Sequence, residues 1–505
     1  MVLAVAAFVL LPMVYLAVRA LEADAAGVMD LIFRARNARL LFNTAGLAVS
    51  VLAASTLVAL PLAWLTARTD MPFRKLGTLV GMLPLAVPPY LMAYAYLALG
   101  GDYGALAQMT GWSLPRLSGF WGALAALSIC FYPYLYLNFR AALLGIDPAY
   151  EEAARSLGRR PREVAWRVIL PQLRPAYAAG GLLVTLHVLS DFGGVSLMRY
   201  ETFSYALYLQ YIAAFDRTYA AWLALFLLAM TVAILLYEAW YLRGLMLHRS
   251  GGGSARQQTP RPLGRWRWPA AAFVGLVGVI AIVLPLFAML FWLFQGGWPT
   301  NTAALTRSLI QTVGISAPAA IGATAMALPV AYLAVRYPSR LSRVLERTAY
   351  MGYATPALAF ALGFIFLSLH AAPMLYQTRL LLVAALALHF LAEAIGPVRS
   401  ALYQAKPSLE ESARILGMGP VRAFFTATFP LLQRGVLTSV AFVFLATMKE
   451  LPITFLLAPL DFQSLAVQVW GYIDAAMFAE AAPFALTIMV FSGIFAALLQ
   501  FQDSQ

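Results

Sequence analysis

Two short charged segments of this chain, 259 residues apart, carry the same pattern. The first reads Asp147-Pro-Ala-Tyr-Glu-Glu-Ala-Ala-Arg-Ser-Leu-Gly158, the second Lys406-Pro-Ser-Leu-Glu-Glu-Ser-Ala-Arg-Ile-Leu-Gly417. Glu151, Glu152, Ala154 and Gly158 align without a gap with Glu410, Glu411, Ala413 and Gly417. Pro161 and Pro171 align likewise with Pro420 and Pro430. A duplicated charged loop between apolar stretches is a docking surface. A second set of ionisable residues lies within apolar surroundings: His187, Asp191, Glu393, Lys449 and Glu450. Such groups are costly in lipid and are functional candidates by default. Asp191 and Glu450 each stand 33 residues beyond the loop glycine of their copy. Carboxylates suit a hard, highly charged cation, to which His and Lys add nothing. Asp191 and Glu450 are therefore candidates for transient metal contact, and no firm metal site is expected.

The elements that must position these residues follow from local chemistry. Asp147 before Pro148 is a good N-cap followed by proline at the first helical position. Ser408 and Glu411 have capping-box spacing, and the glutamates sit in favourable first turns. Gly158 and Gly417 fall where a left-handed residue ends a helix. Pro161 and Pro420 open a second short helix, which Pro171 and Pro430 are expected to stop. Further on, Gly193-Gly194 and Pro452 weaken or kink the helices that carry Asp191 and Glu450. Counting at about 1.5 Å per residue puts both carboxylates in the outer half of a core about 30 Å thick. His187 lies one turn below Asp191 on the same face. Lys449 and Glu450 point apart, so Glu393 on a neighbouring span is the expected partner of Lys449. The five residues are read as lining a translocation path, with Asp191 facing Glu450 across it. The alternative is a paired network holding two kinked helices. Glu238 and His370, near span ends, are read as interface residues.

The composition is 62% hydrophobic and 11% charged, with mean hydropathy +0.77. Soluble domains carry about 25% charged residues. A helix crosses the bilayer core with roughly 20 mostly apolar residues. About twelve stretches qualify: 2–19, 40–66, 76–99, 119–143, 176–198, 219–242, 269–294, 309–334, 348–369, 378–400, 435–458 and 481–500. Long apolar spans rather than alternating short ones mean helices, not a β-barrel. The fold class is an all-α polytopic membrane protein. The net charge of +13 reflects basic loops on the inner side, not nucleic-acid binding. Arg34, Arg36 and Arg39 go against that bias. The N-terminal apolar run lacks a basic leader and continues to Val18, so it reads as the first transmembrane helix. Cys130 is the only cysteine, which excludes an intrachain disulfide.

The duplication reaches beyond the loops. Thr44, Ala59-Leu60-Pro61, Ala63, Leu65, Arg68 and Pro88 recur 268 positions later as Thr312, Ala327-Leu328-Pro329, Ala331, Leu333, Arg336 and Pro356. A repeat this long sets the architecture. The expected domains are a first half 1–243 with its loop at 147–171, a linker 244–268, and a second half 269–505 with its loop at 406–430. Six helices per half leave both copies in the same orientation, related about the membrane normal, with both loops and the C-terminus cytoplasmic. The glycine-rich basic linker reads as a tether.

Glu152-Ala153-Ala154, Gly158 and Pro171 resemble the EAA loop of ABC importer permeases, as do Glu411-Ser412-Ala413, Gly417 and Pro430. Ser412, Ala427 and Phe429 depart from that pattern. Ser190-Asp-Phe-Gly193 and Lys449-Glu-Leu-Pro-Ile-Thr454 resemble the fused-halves ferric-iron permeases, and the resemblance covers essentially the whole chain. It implies the type I importer permease fold in a bacterial inner membrane. It also implies coupling loops, with Glu151, Glu152, Ala154, Gly158, Glu410, Glu411, Ala413 and Gly417, that dock on two copies of an ATP-binding subunit. A periplasmic solute-binding protein delivers the substrate, expected to be ferric iron. Thiamine and 2-aminoethylphosphonate permeases share the layout and stay open as alternatives. A secondary transporter is the rival class. It would explain the repeat and the buried charges but not the duplicated loops. None of the three lysines follows a glycine in a phosphate-binding loop, so no enzyme activity is expected. ATP and Mg belong on the partner, and this chain is expected to bind no cofactor.

Overall fold

The computed structural model describes residues 1–22, 33–213, 216–243, 260–296 and 302–503. Most of the basic linker, including its glycine run, lies outside the described residues. Those described are overwhelmingly helical, and the isolated β-bridge among them joins Thr69 to Arg261. Among the described residues, seven helices are long and apolar enough to cross a membrane, and ten are if each of three bent pairs forms one span. The other two apolar stretches are Arg174–Ser190, whose 17 residues end just before Asp191, and Phe478–Asp503.

Two stretches expected as single spans are sharply folded. Arg74–Ala86 meets Pro89–Leu99 at 101°, and Arg340–Ala354 meets Ala357–Ala371 at 103°. The duplicated prolines Pro88 and Pro356 sit at these corners. Proline drives its predecessor out of helical backbone, and Val87 and Thr355 are extended, with ψ of 118° and 129°.

Two compact units form, and their membership crosses the repeat boundary. One comprises Met1–Arg34, Ala206–Leu228 and Gly297–Gln505; the other comprises Ala35–Tyr205 and Ala229–Gly296. In the first unit, Thr302–Arg336, Leu391–Gln404 and Phe429–Met448 pack together, and Val2–Leu21 lies against Arg340–Ala354 and Ala357–Ala371. That contact is close: a β-carbon on Gly363 would stand 2.4 Å from the Pro12 carbonyl oxygen. Small residues that let backbones approach are what associate helices in lipid. In the second unit, Ala35–Arg68, Gly119–Gly145 and Arg174–Ser190 pack together, and Leu284–Gln295 lies against Pro89–Leu99. Each repeat therefore gives its leading helix to the unit built on the other repeat.

Candidate functional site: two anchored loop helices and two helix breaks

In the first loop, the helix Pro148–Ser156 starts at Asp147, whose carboxylate accepts from the Ala149 N–H at 2.9 Å. It ends in a Schellman turn. Gly158 has φ 79°. Its N–H donates to the Arg155 carbonyl at 2.9 Å, and that of Arg159 to the Ala154 carbonyl at 3.1 Å. Pro161 opens the next helix as expected. Pro171 does not stop it. A π-helical turn over Ala165–Ile169 intervenes, and Pro171 is the second residue of the α-helical turn Leu170–Gln172 that follows. The N–H that proline lacks falls where the wide turn has already shifted the hydrogen-bond ladder.

The two adjacent glutamates divide their work. Glu152 is exposed, whereas Glu151 is buried among cations. Arg68, at the end of Ala35–Arg68, pairs with Glu151 Oε1 at 2.9 Å. Arg155, one turn along, stands 3.6 Å from Oε2, and Arg261 donates to the same oxygen. Arg261 also lies over the Trp64 ring, 5.6 Å from its centroid. Beside it, Asp70 accepts from the Leu263 N–H at 2.8 Å and pairs with Arg267. The Arg267 hydrogen bond, with that from Leu263, holds the Asp70 carboxyl below the usual carboxylate range.

The second loop repeats the plan with other partners. Gly417 has φ 86°, and its turn carries the same two bonds, to Arg414 at 3.0 Å and from Met418 to Ala413 at 3.2 Å. A π turn over Phe424–Thr428 precedes Pro430, which again sits in the first turn of a continuing helix. The Ser408–Glu411 capping box does not form. The helix starts at Pro407 with Lys406 as cap, which places Ser408 two residues inside the cap position. Glu411 is exposed and Glu410 buried. Glu410 Oε1 accepts from the Tyr332 hydroxyl at 2.7 Å and Arg414 at 2.9 Å, and Oε2 from Thr428 at 3.2 Å. Arg336, the repeat of Arg68, donates to the Ala405 carbonyl at 2.7 Å. Ala413 is buried and Ala154 half-buried.

Sequence reasoning missed the apolar tips. Leu157 is 83% exposed and its repeat Leu416 79%, and Trp166 and Phe425 are exposed at a second matched position. Exposed large apolar side chains on a rigid charged loop mark an interaction surface. The signal was present, because Leu157 and Leu416 belong to the aligned block.

The helices carrying Asp191 and Glu450 break where expected. Arg174–Ser190 stops and Gly193–Leu197 begins; Met448 ends one helix and Pro452–Leu457 follows. Both carboxylates are buried and cap the short helix beyond the break. Asp191 Oδ2 accepts from the Val195 N–H at 3.0 Å. Glu450 accepts from the Ile453 N–H at 2.6 Å, and from the N–H and hydroxyl of Thr454, each at 2.9 Å. His187 Nε2 lies 3.0 Å from the Tyr134 hydroxyl, with the rings 4.5 Å apart. Glu393 interacts with Lys449 and accepts from the Tyr353 hydroxyl. Among the described residues, no three His, Cys, Asp or Glu side chains are grouped to hold a metal ion.

Residues 59–243 and 323–504 match the family described as "Binding-protein-dependent transport system inner membrane component". The chain is 31% identical over 498 residues to the Fe(3+)-transport system permease protein FbpB 2 of Haemophilus influenzae, covering 97% of this chain and 95% of that one. It is 24% identical over 506 residues to the ferric transport system permease protein FbpB of Actinobacillus pleuropneumoniae, covering 92% of this chain and 71% of that one. The molybdenum transport system permease protein ModB of Escherichia coli K12 is 31% identical over 153 residues, 29% of this chain and 67% of its own. Two matched copies, each with an anchored loop helix and a broken span, place this chain among the inner-membrane components of binding-protein-dependent transport systems, as an ABC importer permease with fused halves.

Proposed function

We propose that this chain carries ferric iron across the inner membrane by alternating access, driven by ATP hydrolysis on two copies of a separate subunit. A binding protein delivers the iron on the periplasmic side, and the loops 147–171 and 406–430 take up the motion of the ATP-binding subunits on the cytoplasmic side, where the C-terminus also lies. The observation that carries this reading is the duplicated loop helix: in both copies one glutamate is buried as an anchor and an exposed leucine precedes the left-handed glycine. A rigid arm of this kind transmits force; a flexible loop would not. Similarity to two ferric transport permeases along nearly the whole chain supports iron as the substrate. Asp191 and Glu450 then hold the two helix breaks open to the path, with His187, Glu393 and Lys449 among the polar groups near it.

The test is uptake of radioactive iron into liposomes containing the permease and its ATP-binding subunit, with iron-loaded binding protein outside. ATP-dependent accumulation that unlabelled thiamine or 2-aminoethylphosphonate does not reduce is the expected result. Uptake driven by a proton gradient without ATP would overturn it in favour of a secondary transporter.

A further inference from the structure

We propose that Arg261, from the segment joining the two halves, is a positioning residue for the first loop helix alone. The proposal rests on the coupling-loop reading above. It starts from an asymmetry. Glu410, in the second loop, finds all its recorded partners, Tyr332, Arg414 and Thr428, within its own repeat. Trp64 stands where Tyr332 would be, 268 positions earlier, and an indole offers a carboxylate no hydroxyl. At the Thr428 position the first copy has Ile169, which cannot donate. Two of the three partners of Glu410 are thus missing around Glu151, and cations take their place: Arg68 on Oε1 and Arg261 on Oε2.

Arg261 is not there by chance of a long side chain. Its backbone is fixed on both sides. The Arg261 N–H donates to the Arg68 carbonyl at 2.9 Å, and the Asp70 N–H returns to the Arg261 carbonyl at 3.1 Å. Asp70 then holds the Leu263 N–H and the Arg267 guanidinium. Trp64 provides the ring on which the Arg261 guanidinium lies. The end of the linker is therefore a strap built onto the first repeat, and its arginine completes the buried socket in which the first loop helix pivots. A charge-assisted bond to a buried carboxylate is among the stronger polar contacts available.

The test uses the full permease bound to its ATP-binding subunit in nanodiscs, with Cys130 replaced by alanine. A single cysteine is placed at Leu157 or at Leu416 and cross-linked to that subunit. Arg261→Gln is expected to lower cross-linking from position 157 about tenfold, while cross-linking from position 416 stays unchanged. Arg261→Lys, which keeps the charge, restores most of it. In a Glu151→Gln background, Arg261→Gln adds no further loss, because the two act through one contact. Equal loss at both positions, or no loss at position 157, overturns the proposal. Absence of cross-linking at both positions in the otherwise unaltered protein would instead overturn the coupling-loop reading itself.

Discussion

Glu151 and Glu152 are chemically identical neighbours with opposite environments, and substitution should separate them. Glu151→Gln removes the carboxylate charge from the buried pair with Arg68, and breaking a buried pair from one side costs roughly 3–5 kcal/mol. The first loop helix should detach, seen as faster tryptic cleavage at Arg155 and Arg159, with transport falling in step. Glu152→Gln removes only an exposed charge and should leave the cleavage rate unchanged. Equal cleavage in the two variants would contradict the anchor assignment. Asp191 yields to a similar comparison. Its recorded work is to accept backbone N–H bonds beyond the helix break, which an amide oxygen can still do. If capping is the whole role, Asp191→Asn should keep most transport and Asp191→Ala should lose it. If the charge also serves the path, Asn should fail as badly as Ala while the permease still assembles with its ATP-binding subunit.

At the scale of elements, the loops were legible because proline, glycine and N-cap chemistry are local. Asp147 caps and Gly158 and Gly417 turn left-handed where the sequence says they must. The breaks after Ser190 and Met448 were legible for the same reason, from Gly193-Gly194 and Pro452. What local rules missed is non-local. Nothing in the loop sequence says which glutamate faces inward, since that depends on Arg68, Tyr332 and Arg261, which arrive from distant elements. The π turns before Pro171 and Pro430 were hidden too, because a proline after a shifted ladder looks in sequence like a proline that ends one. The glycine turns can be tested directly. A β-branched residue in left-handed backbone costs about 1–2 kcal/mol, and nothing stands within 4 Å of a β-carbon at either position, so backbone strain acts alone. Gly158→Val or Gly417→Val should redirect the loop and lower transport with insertion intact, and the double variant should abolish it. Full transport in the double variant would mean that the loops transmit nothing.

For the whole molecule, the repeat predicted two six-helix halves, while packing divides the chain differently. The exchange of leading helices left no trace in hydropathy, because Val2–Leu21 would look the same whichever repeat it packed on. Its consequence is that each compact unit is built from both sides of the linker: Val2–Leu21 belongs with Arg340–Ala371, and Leu284–Gln295 with Pro89–Leu99. Cutting the chain between residues 250 and 258 should therefore release nothing. The cut leaves Arg261 and Arg267 joined to the second fragment yet bonded to Arg68 and Asp70 of the first. The two fragments, co-expressed, should purify as one complex with transport retained, whereas each alone should be degraded. Gly363→Leu should weaken the complex, because its side chain would occupy the space of the Pro12 backbone. The readout is the fraction of the first fragment retained on a tag carried by the second. Fragments that separate freely in mild detergent, or that are each stable alone, would show that the exchanged helices do not hold the units together.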